Sequence, residues 1–208
     1  EDAQTRLNRS FIGMSPREQL TAFILSTFPM HPMKATSIED RFSEKTYQKN
    51  EFYLTEGKIC NEYLFLCKGF MRAFTYNLEG DDITTAFYQE HGVACEIYSL
   101  FKRVPARENI QALTDCQVLY INFEQLQQAF HSIPEFREFG RSILVNAYAQ
   151  LKQRMLALHQ LTAEQRYSDL IKSNSAIFQV APLKTIATYL GITDTSLSRI
   201  RKEYAKNS

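Results

Sequence analysis

The sequence predicts an α+β chain: an N-terminal antiparallel β-roll (a double-stranded β-helix or jelly-roll) with flanking helices, a long helix, and a C-terminal helix-turn-helix. Short β-branched and aromatic runs separate glycines that lie eleven or twelve residues apart, a pattern typical of antiparallel strands. After Asn122 the apolar period becomes helical. Two short helical segments around a glycine follow near the end of the chain. The evenly spaced glycines are Gly57, Gly69, Gly80 and Gly92.

Capping sequences and turn residues locate the elements of the first part. Ser15-Pro-Arg-Glu18 is a capping box with proline at the first helical position, which predicts a helix over Pro16 to Thr27. A short turn of helix is expected over Ser37 to Arg41. The predicted strands are Glu62 to Cys67, Phe70 to Tyr76, Ile83 to Tyr88, Asn109 to Leu113 and Gln117 to Ile121.

The long helix is expected to begin at Pro134 and to end near His159. Its apolar residues alternate spacings of four and three, which places them on one stripe of the kind that paired helices bury. The alternative is a helix that lies on the core of its own domain. The stripe consists of Leu144, Tyr148, Leu151, Met155 and Leu158. The predicted domains are residues 1–133, 134–160 and 161–208.

The last domain has the pattern of a helix-turn-helix. The capping box Thr162-Ala-Glu-Gln165 predicts a helix through about Lys172. Helices over Leu183 to Leu190 and from Asp194 to about Ala205 flank Gly191, which permits a left-handed turn. Thr193 is expected to cap the second of these helices. The exposed side of this second helix would carry Asp194, Thr195, Ser196, Ser198, Arg199 and Lys202.

Charge supports a nucleic-acid partner for this end of the chain. Gln150 to Ser208 holds nine of the 24 Lys and Arg residues but only four of the 23 Asp and Glu residues. An ordinary αα-hairpin with a solvated basic face is the alternative. We expect double-stranded DNA as the partner, with Arg199 contacting a base, preferentially guanine. The expected phosphate contacts are Lys184, Arg201 and Lys202.

Composition limits the remaining classes. With 44% hydrophobic and 23% charged residues the chain is expected to fold as an ordinary globular protein. It has no apolar run long enough for a membrane span, and Glu1 to Ser10 lacks the order of a signal peptide. A cytoplasmic location and no membrane contact are therefore expected. Buried thiols are expected at Cys60, Cys67, Cys95 and Cys116.

The segment Ile186-Ala-Thr-Tyr-Leu-Gly-Ile-Thr-Asp-Thr-Ser-Leu-Ser-Arg-Ile-Arg201 resembles the helix-turn-helix of the bacterial Crp/Fnr family of transcriptional regulators. Weaker similarities lie at Thr55-Glu-Gly57, Tyr63 to Gly69 and Ile110 to Leu113. The resemblance implies a homodimer that binds a palindromic operator and contacts RNA polymerase. It also implies a small-molecule effector in a cyclic-nucleotide-binding-like roll.

The phosphate cassette of cyclic-nucleotide-binding relatives is incomplete here. Glu96 matches, but Cys95 replaces the glycine and Arg107 lies one position from the expected arginine. A slip of one residue on a strand turns a side chain to the opposite face, and Glu108 would repel a cyclic phosphate. We therefore expect an effector other than cyclic AMP, and no cofactor. The candidate pocket residues are Cys95, Glu96, Tyr98, Arg107 and Tyr148.

Other sensing mechanisms would each need particular ligand or reactive residues. An N-terminal iron–sulfur cluster is not expected, because the first 59 residues contain no cysteine. His91 or His131 could ligate haem, although a lone histidine is more often a surface residue. Cys95 could sense oxidants, but a small buried thiol is the simpler interpretation. Any β-wing is expected near Phe178 to Val180, since few residues follow the last helix.

Catalysis is not expected. Metal-dependent oxygenases built on β-rolls need a His-x-His or His-x-Asp pair, which His31, His91, His131 and His159 do not provide. The sequence contains no G-x-S-x-G nucleophile elbow, no P-loop and no Rossmann fingerprint. The alternative to a DNA-binding regulator is a small-molecule sensor that acts through protein contacts and carries a vestigial DNA head.

Overall fold

Two four-stranded antiparallel sheets face each other in the N-terminal part of the chain. The computed structural model describes residues 11–207, so the predicted absence of a signal peptide at Glu1 to Ser10 lies outside the described residues. Within this part the strands are β1 (Ser43–Tyr47), β2 (Phe52–Leu54), β3 (Glu62–Lys68), β4 (Met71–Tyr76), β5 (Asp82–Tyr88), β6 (Val93–Ala94), β7 (Asn109–Ala112) and β8 (Cys116–Asn122).

One sheet has the order β1-β8-β3-β6 and the other β2-β7-β4-β5. All pairs are antiparallel, as between Leu64 and Tyr120. We call β1–β8 the roll. The five predicted strands are confirmed to within one or two residues. Three strands were missed: β2 and β6 hold three and two residues, too few for a visible period, and β1 has four exposed residues of five.

Helix α1 (Pro16–Thr27) covers the β3–β8 sheet and confirms the first capping box. The Ser15 side chain accepts from the Glu18 backbone N–H, and the Glu18 carboxylate accepts from the Ser15 N–H. Helix α2 (Pro32–Glu39) begins earlier than the turn predicted at Ser37, because His31 caps it and Pro32 stands at its first position. Both helices bury apolar residues against the roll.

Helix α5 (Pro134–Gln160) starts on the roll and then leaves it. After the short helices α3 (Ile97–Lys102) and α4 (Phe123–Ser132), its first turns bury Phe136 and Phe139. Phe139 meets Phe23 of α1 edge-on, with ring centroids 6.0 Å apart. Beyond this aromatic cluster α5 has no further buried residue. The long helix is confirmed as an element, with its start at Pro134.

Four helices complete the chain: α6 (Ala163–Asn174), α7 (Ile177–Val180), α8 (Leu183–Leu190) and α9 (Asp194–Asn207). We call α6–α9 the head. Its core contains Tyr167, Ile186 and Leu197 and extends to Leu113 of the roll. The wing expected near Phe178 to Val180 was a wrong prediction, because this segment is one turn of helix with Ile177 buried. In the described part no helix is long and apolar enough to cross a bilayer.

Gly69 closes the tight connection between β3 and β4. Its φ is +96°, and a Cβ there would lie 2.5 Å from the Asp115 carbonyl oxygen. Gly80, with φ +84°, has no atom within 4 Å of the same position. A substitution at Gly80 would therefore introduce backbone strain alone, whereas one at Gly69 would add a steric clash.

Gly69→Ala should lower the free energy of unfolding by about 2–5 kcal/mol, since it adds a clash with backbone to a strained φ. Gly80→Ala, the matched control, should cost about 1–2 kcal/mol from strain alone. Urea unfolding monitored by circular dichroism measures both. Equal losses in the two variants would contradict the close approach seen at Gly69.

Candidate nucleic-acid interface and ligand pocket

Helices α8 and α9 are joined by a tight turn whose geometry follows from its sequence. Gly191 has φ 69° and ψ 36°, and the Ile192 N–H donates to the Ala187 carbonyl. The Ser196 N–H donates to Thr193 Oγ1 at 3.2 Å, so Thr193 caps α9 as predicted. Its hydroxyl in turn donates to Ser196 Oγ. The two hydroxyls are thus engaged with each other at the start of the helix.

The side of α9 that faces away from the head core is polar and exposed. Leu197 and Ile200 are buried. Because an α-helix rotates by about 100° per residue, Arg199 and Lys202 lie on the opposite side. Lys206 falls on the same side and was not singled out from the sequence. We call this the outer face of α9. Its exposed members are Thr195, Ser198, Arg199, Lys202 and Lys206, with Asp194 and Arg201 exposed at its borders.

A carboxylate lies near Arg199. This carboxylate belongs to Glu164. Hydrogen bonds from the Glu164 backbone N–H and from the Thr162 side chain hold the pKa of Glu164 below its ordinary value. The positive charges of Arg199 and Arg166 lower this pKa further. Glu164 stands in the first turn of α6, where a negative charge is also favoured by the helix dipole. Arg199 is therefore exposed but has a neighbour that attracts it.

Lys184, an expected phosphate contact, faces the roll in this arrangement. Its Nζ lies 3.8 Å from an oxygen of Asp81, in the turn between β4 and β5, and both side chains are more than half exposed. A pair this exposed contributes little to stability. Lys184 is thus separated from the outer face of α9.

The predicted stripe on α5 is exposed along its length. Tyr148 and Leu151 are 69% and 64% exposed. Leu158 lies against the head turn, since a Cβ built at Gly191 would be 3.4 Å from its Cδ2. The stripe is thus an exposed apolar surface, and Val145 and Leu156 are exposed apolar residues of the same helix outside it. Its members Leu144, Tyr148, Leu151, Met155 and Leu158 are all at least 42% exposed.

The head packs against the roll through α8 and the edge strand β5. The Thr84 N–H donates to Thr188 Oγ1 at 3.2 Å, and Thr84 is 1% exposed. Arg72 of β4 donates to both carboxylate oxygens of Asp82, at 3.2 and 3.0 Å, and lies 3.5 Å from Thr185 Oγ1. Thr84 and Arg72 of the roll therefore bond to Thr188 and Thr185 of the head.

Arg154 of α5 contacts both the roll and the head. One guanidinium nitrogen donates to the Thr85 carbonyl of β5, and the other donates to the Tyr189 carbonyl of α8 at 3.2 Å. Its Cζ lies 4.0 Å from the Tyr189 ring centroid. Burial lowers the pKa of Arg154. Nothing in the amino-acid sequence around Arg154 indicated this role.

A cavity of about 370 Å³ opens on the roll beside α3. Tyr98 and Arg107, two of the candidate pocket residues, line it together with Glu56, Gly57, Val104, Pro105 and Ala106. Tyr148, on the exposed stripe of α5, is not among its lining residues. The structure therefore brings together Tyr98 and Arg107 and leaves the other three candidates elsewhere.

Glu96 and Cys95, which do not line the cavity, have structural roles instead. Both oxygens of Glu96 are used to cap α3, accepting from the Tyr98 and Ser99 N–H groups at 3.1 and 2.7 Å. Cys95 is buried, and burial raises the pKa of its thiol well above the ordinary value. The neutral thiol is a poor nucleophile, as expected for a core residue.

The remaining sensing candidates have structural partners. All four cysteines are free and buried, which confirms the prediction. His91 stacks on Phe11 with ring centroids 3.9 Å apart, and His131 Nδ1 lies 2.7 Å from the Gln127 carbonyl oxygen. Among residues 11–207 no three His, Cys, Asp or Glu side chains form a group that could hold a metal ion.

Glu108 connects the cavity wall to β5. It follows Arg107 in sequence, and its Oε2 accepts from the Thr85 hydroxyl at 2.6 Å. Burial raises the pKa of Glu108, with a smaller contribution from the charge of Glu96, while the Thr85 hydrogen bond lowers it. Protonation of this carboxyl is therefore easier in the folded chain than in water.

Comparison with known families assigns the roll. Residues 44–132 match the cyclic nucleotide-binding domain family. The match covers β1 to α4, including the cavity beside α3. Comparison with curated proteins gives no sequence match.

Solved structures share the fold of most of the chain. FixK2 from Bradyrhizobium japonicum is similar with a TM-score of 0.68 and 20% identity, over 80% of this chain and 85% of that one. The catabolite activator protein of Thermus thermophilus gives 0.56 and 15%, over 89% and 87%. A Crp/Fnr-family protein from Eubacterium rectale gives 0.65 and 14%, over 88% of each chain.

These findings define the class of protein: a cyclic nucleotide-binding-type roll joined by one long helix to a C-terminal helical head. The similarities cover 80–88% of this chain and so extend beyond the matched domain. The fold of the chain is therefore similar to that of Crp/Fnr-type regulators, as its resemblance implied.

Glu108→Gln should make the free energy of unfolding less dependent on pH. Because the folded pKa of Glu108 is raised, the folded state holds a proton that the unfolded state releases, so the wild type loses stability as pH rises from the ordinary pKa of glutamate through the raised value. Glutamine carries no such penalty and can still accept from Thr85. Urea unfolding across pH 4 to 8 measures the slope, with exposed Glu203→Gln as control. An unchanged slope in Glu108→Gln would contradict the burial argument.

Proposed function

We propose that the protein is a homodimeric DNA-binding transcriptional regulator that reads a palindromic operator through α9. The observation that carries this proposal is the outer face of α9, where Arg199 and Lys202 are exposed beside small hydroxyl residues on a helix held by a tight turn. Such a helix fits the major groove, where arginine recognises guanine and hydroxyls contact bases or phosphates. The similarity to Crp/Fnr-type folds supports the same assignment.

Dimerisation would use the α5 stripe. Large apolar side chains at alternating spacings of four and three fit a two-helix seam, and their exposure leaves an apolar surface that a second copy would bury. A two-fold axis along this seam would place two copies of α9 on successive turns of one DNA face. RNA polymerase would be a further partner of a regulator of this kind.

The effector would enter the cavity beside α3 and differ from cyclic AMP. Both oxygens of Glu96 are committed to the cap of α3, so they are less free to hold a ribose. Glu108 follows Arg107 of the cavity wall in sequence, and its carboxylate would repel a cyclic phosphate. Arg107 lines the cavity and would favour an anionic ligand. We expect this cavity to have a regulatory rather than a catalytic role.

Arg199 and Arg201 form a matched pair for testing DNA recognition. Arg199→Ala should cost about 1–3 kcal/mol of binding and relax preference at one base position in each half-site. Arg201→Ala should weaken all duplexes about equally and reduce the salt slope by roughly 1. Fluorescence anisotropy with duplexes bound by the wild type, over a range of salt, measures both. Identical behaviour of the two variants would refute base contact by Arg199.

Leu151→Asp should give a monomer, because it places a charge in the middle of the apolar seam. Lys152→Asp on the next position is the control, since it changes a charge at an exposed residue outside the stripe. Light scattering coupled to size-exclusion chromatography measures the mass. A dimer that survives Leu151→Asp would show that α5 is not the dimer seam.

A further inference from the structure

We propose that Arg154 is a positioning residue: with the β-bulge at Thr85 it fixes the orientation of the head on the roll, and thereby the half-site spacing that a dimer can read. This inference rests on the proposed function for its DNA readout, but the contact itself can be tested without DNA. It assigns to α5 a second task besides pairing with another copy.

The bulge makes one backbone carbonyl available on β5. Ala73 pairs with Ala86 and Phe74 with Thr84, so Thr85 is an extra residue in the ladder. A bulged residue leaves backbone groups outside the regular pairing and bends its strand. Here the Thr85 carbonyl accepts from Arg154. The irregularity in the edge strand is therefore the attachment point for the long helix.

Arg154 suits this junction by its shape. A planar guanidinium can donate in two directions while its face stacks on an aromatic ring, and Arg154 does all three: it donates to Thr85 and to Tyr189 and stacks on the Tyr189 ring. The Tyr189 ring also packs on Phe87 of β5, with centroids 4.8 Å apart. One side chain thus ties α5, β5 and α8 together.

The junction also reaches the cavity. The Thr85 hydroxyl donates to Glu108, whose neighbour Arg107 lines the cavity. A ligand that moves Arg107 would shift the residue bonded to the bulge. The path from cavity to head therefore consists of Glu108, Thr85 and Arg154.

The docked head leaves α9 free, so the contact orients the reading helix and does not cover it. Thr185 and Thr188 contact the roll from α8, the helix that precedes the turn. Arg199 and Lys202 remain exposed. Loss of the contact should therefore broaden the geometry of DNA binding rather than create or abolish it.

The test compares Arg154→Ala, Arg154→Lys and the control Lys152→Ala, which removes an exposed cation from the same helix. Hydrogen exchange of full-length protein reports the contact. Duplexes whose two half-sites are moved apart or together in steps of one base pair report head orientation. Thermal unfolding identifies any variant that is not folded.

Arg154→Ala should speed exchange about tenfold in β5 and α8 and leave the core of the roll unchanged, since a charge-assisted hydrogen bond there is lost. It should also bind neighbouring spacings with nearly equal affinity, whereas the wild type and Lys152→Ala prefer one. Arg154→Lys keeps the charge, but its amine cannot bond both carbonyls while it stacks on the Tyr189 ring. This variant should therefore bind neighbouring spacings with nearly equal affinity, as Arg154→Ala does.

Unchanged exchange in β5 and α8 of folded Arg154→Ala, or an unchanged spacing preference, would overturn the proposal. If Arg154→Ala does not fold, Thr188→Val removes the hydroxyl that bonds Thr84 and should give the same local increase in exchange. If the wild type binds no duplex at any spacing, the proposed function fails, while the exchange result still decides the contact.

Discussion

The pairing of the edge strand β5 with the head determines how the two halves of the molecule are arranged. An edge strand carries backbone groups without strand partners, and here Thr188 and Arg154 bind two of them. Thr84 is buried in the contact, so separation would leave its N–H without a partner unless water replaced it. The head therefore completes the roll at this edge.

This arrangement relates the two proposed interfaces. The α5 stripe and Arg154 lie on one helix, so the surface available to a second copy and the contact that holds the head are parts of the same rigid element. A change in the pairing of two long helices would be transmitted to Tyr189 and thus to α8. Ligand binding beside α3 would act on the same junction through Glu108.

Local sequence patterns predicted most of the helices and strands, but they did not predict contacts between residues far apart in the sequence. Ser15, Asn122 and Thr162 cap helices by bonding to residues three positions away. The starts of these helices can therefore be predicted from a few neighbouring residues. The role of Arg154 depends on Thr85, which is 69 positions distant, and nothing in its own segment distinguishes it from a solvated arginine. Glu96 matched a family position, yet only its hydrogen bonds show that it caps α3.

The most direct measurement is selection of bound duplexes from a random pool by the purified wild-type protein. The account predicts enrichment of an inverted repeat whose half-sites are centred about one helical turn apart, with binding that weakens steeply as salt rises. Enrichment of no sequence, with or without candidate anionic ligands, would contradict an operator reader and direct attention to protein partners of the roll.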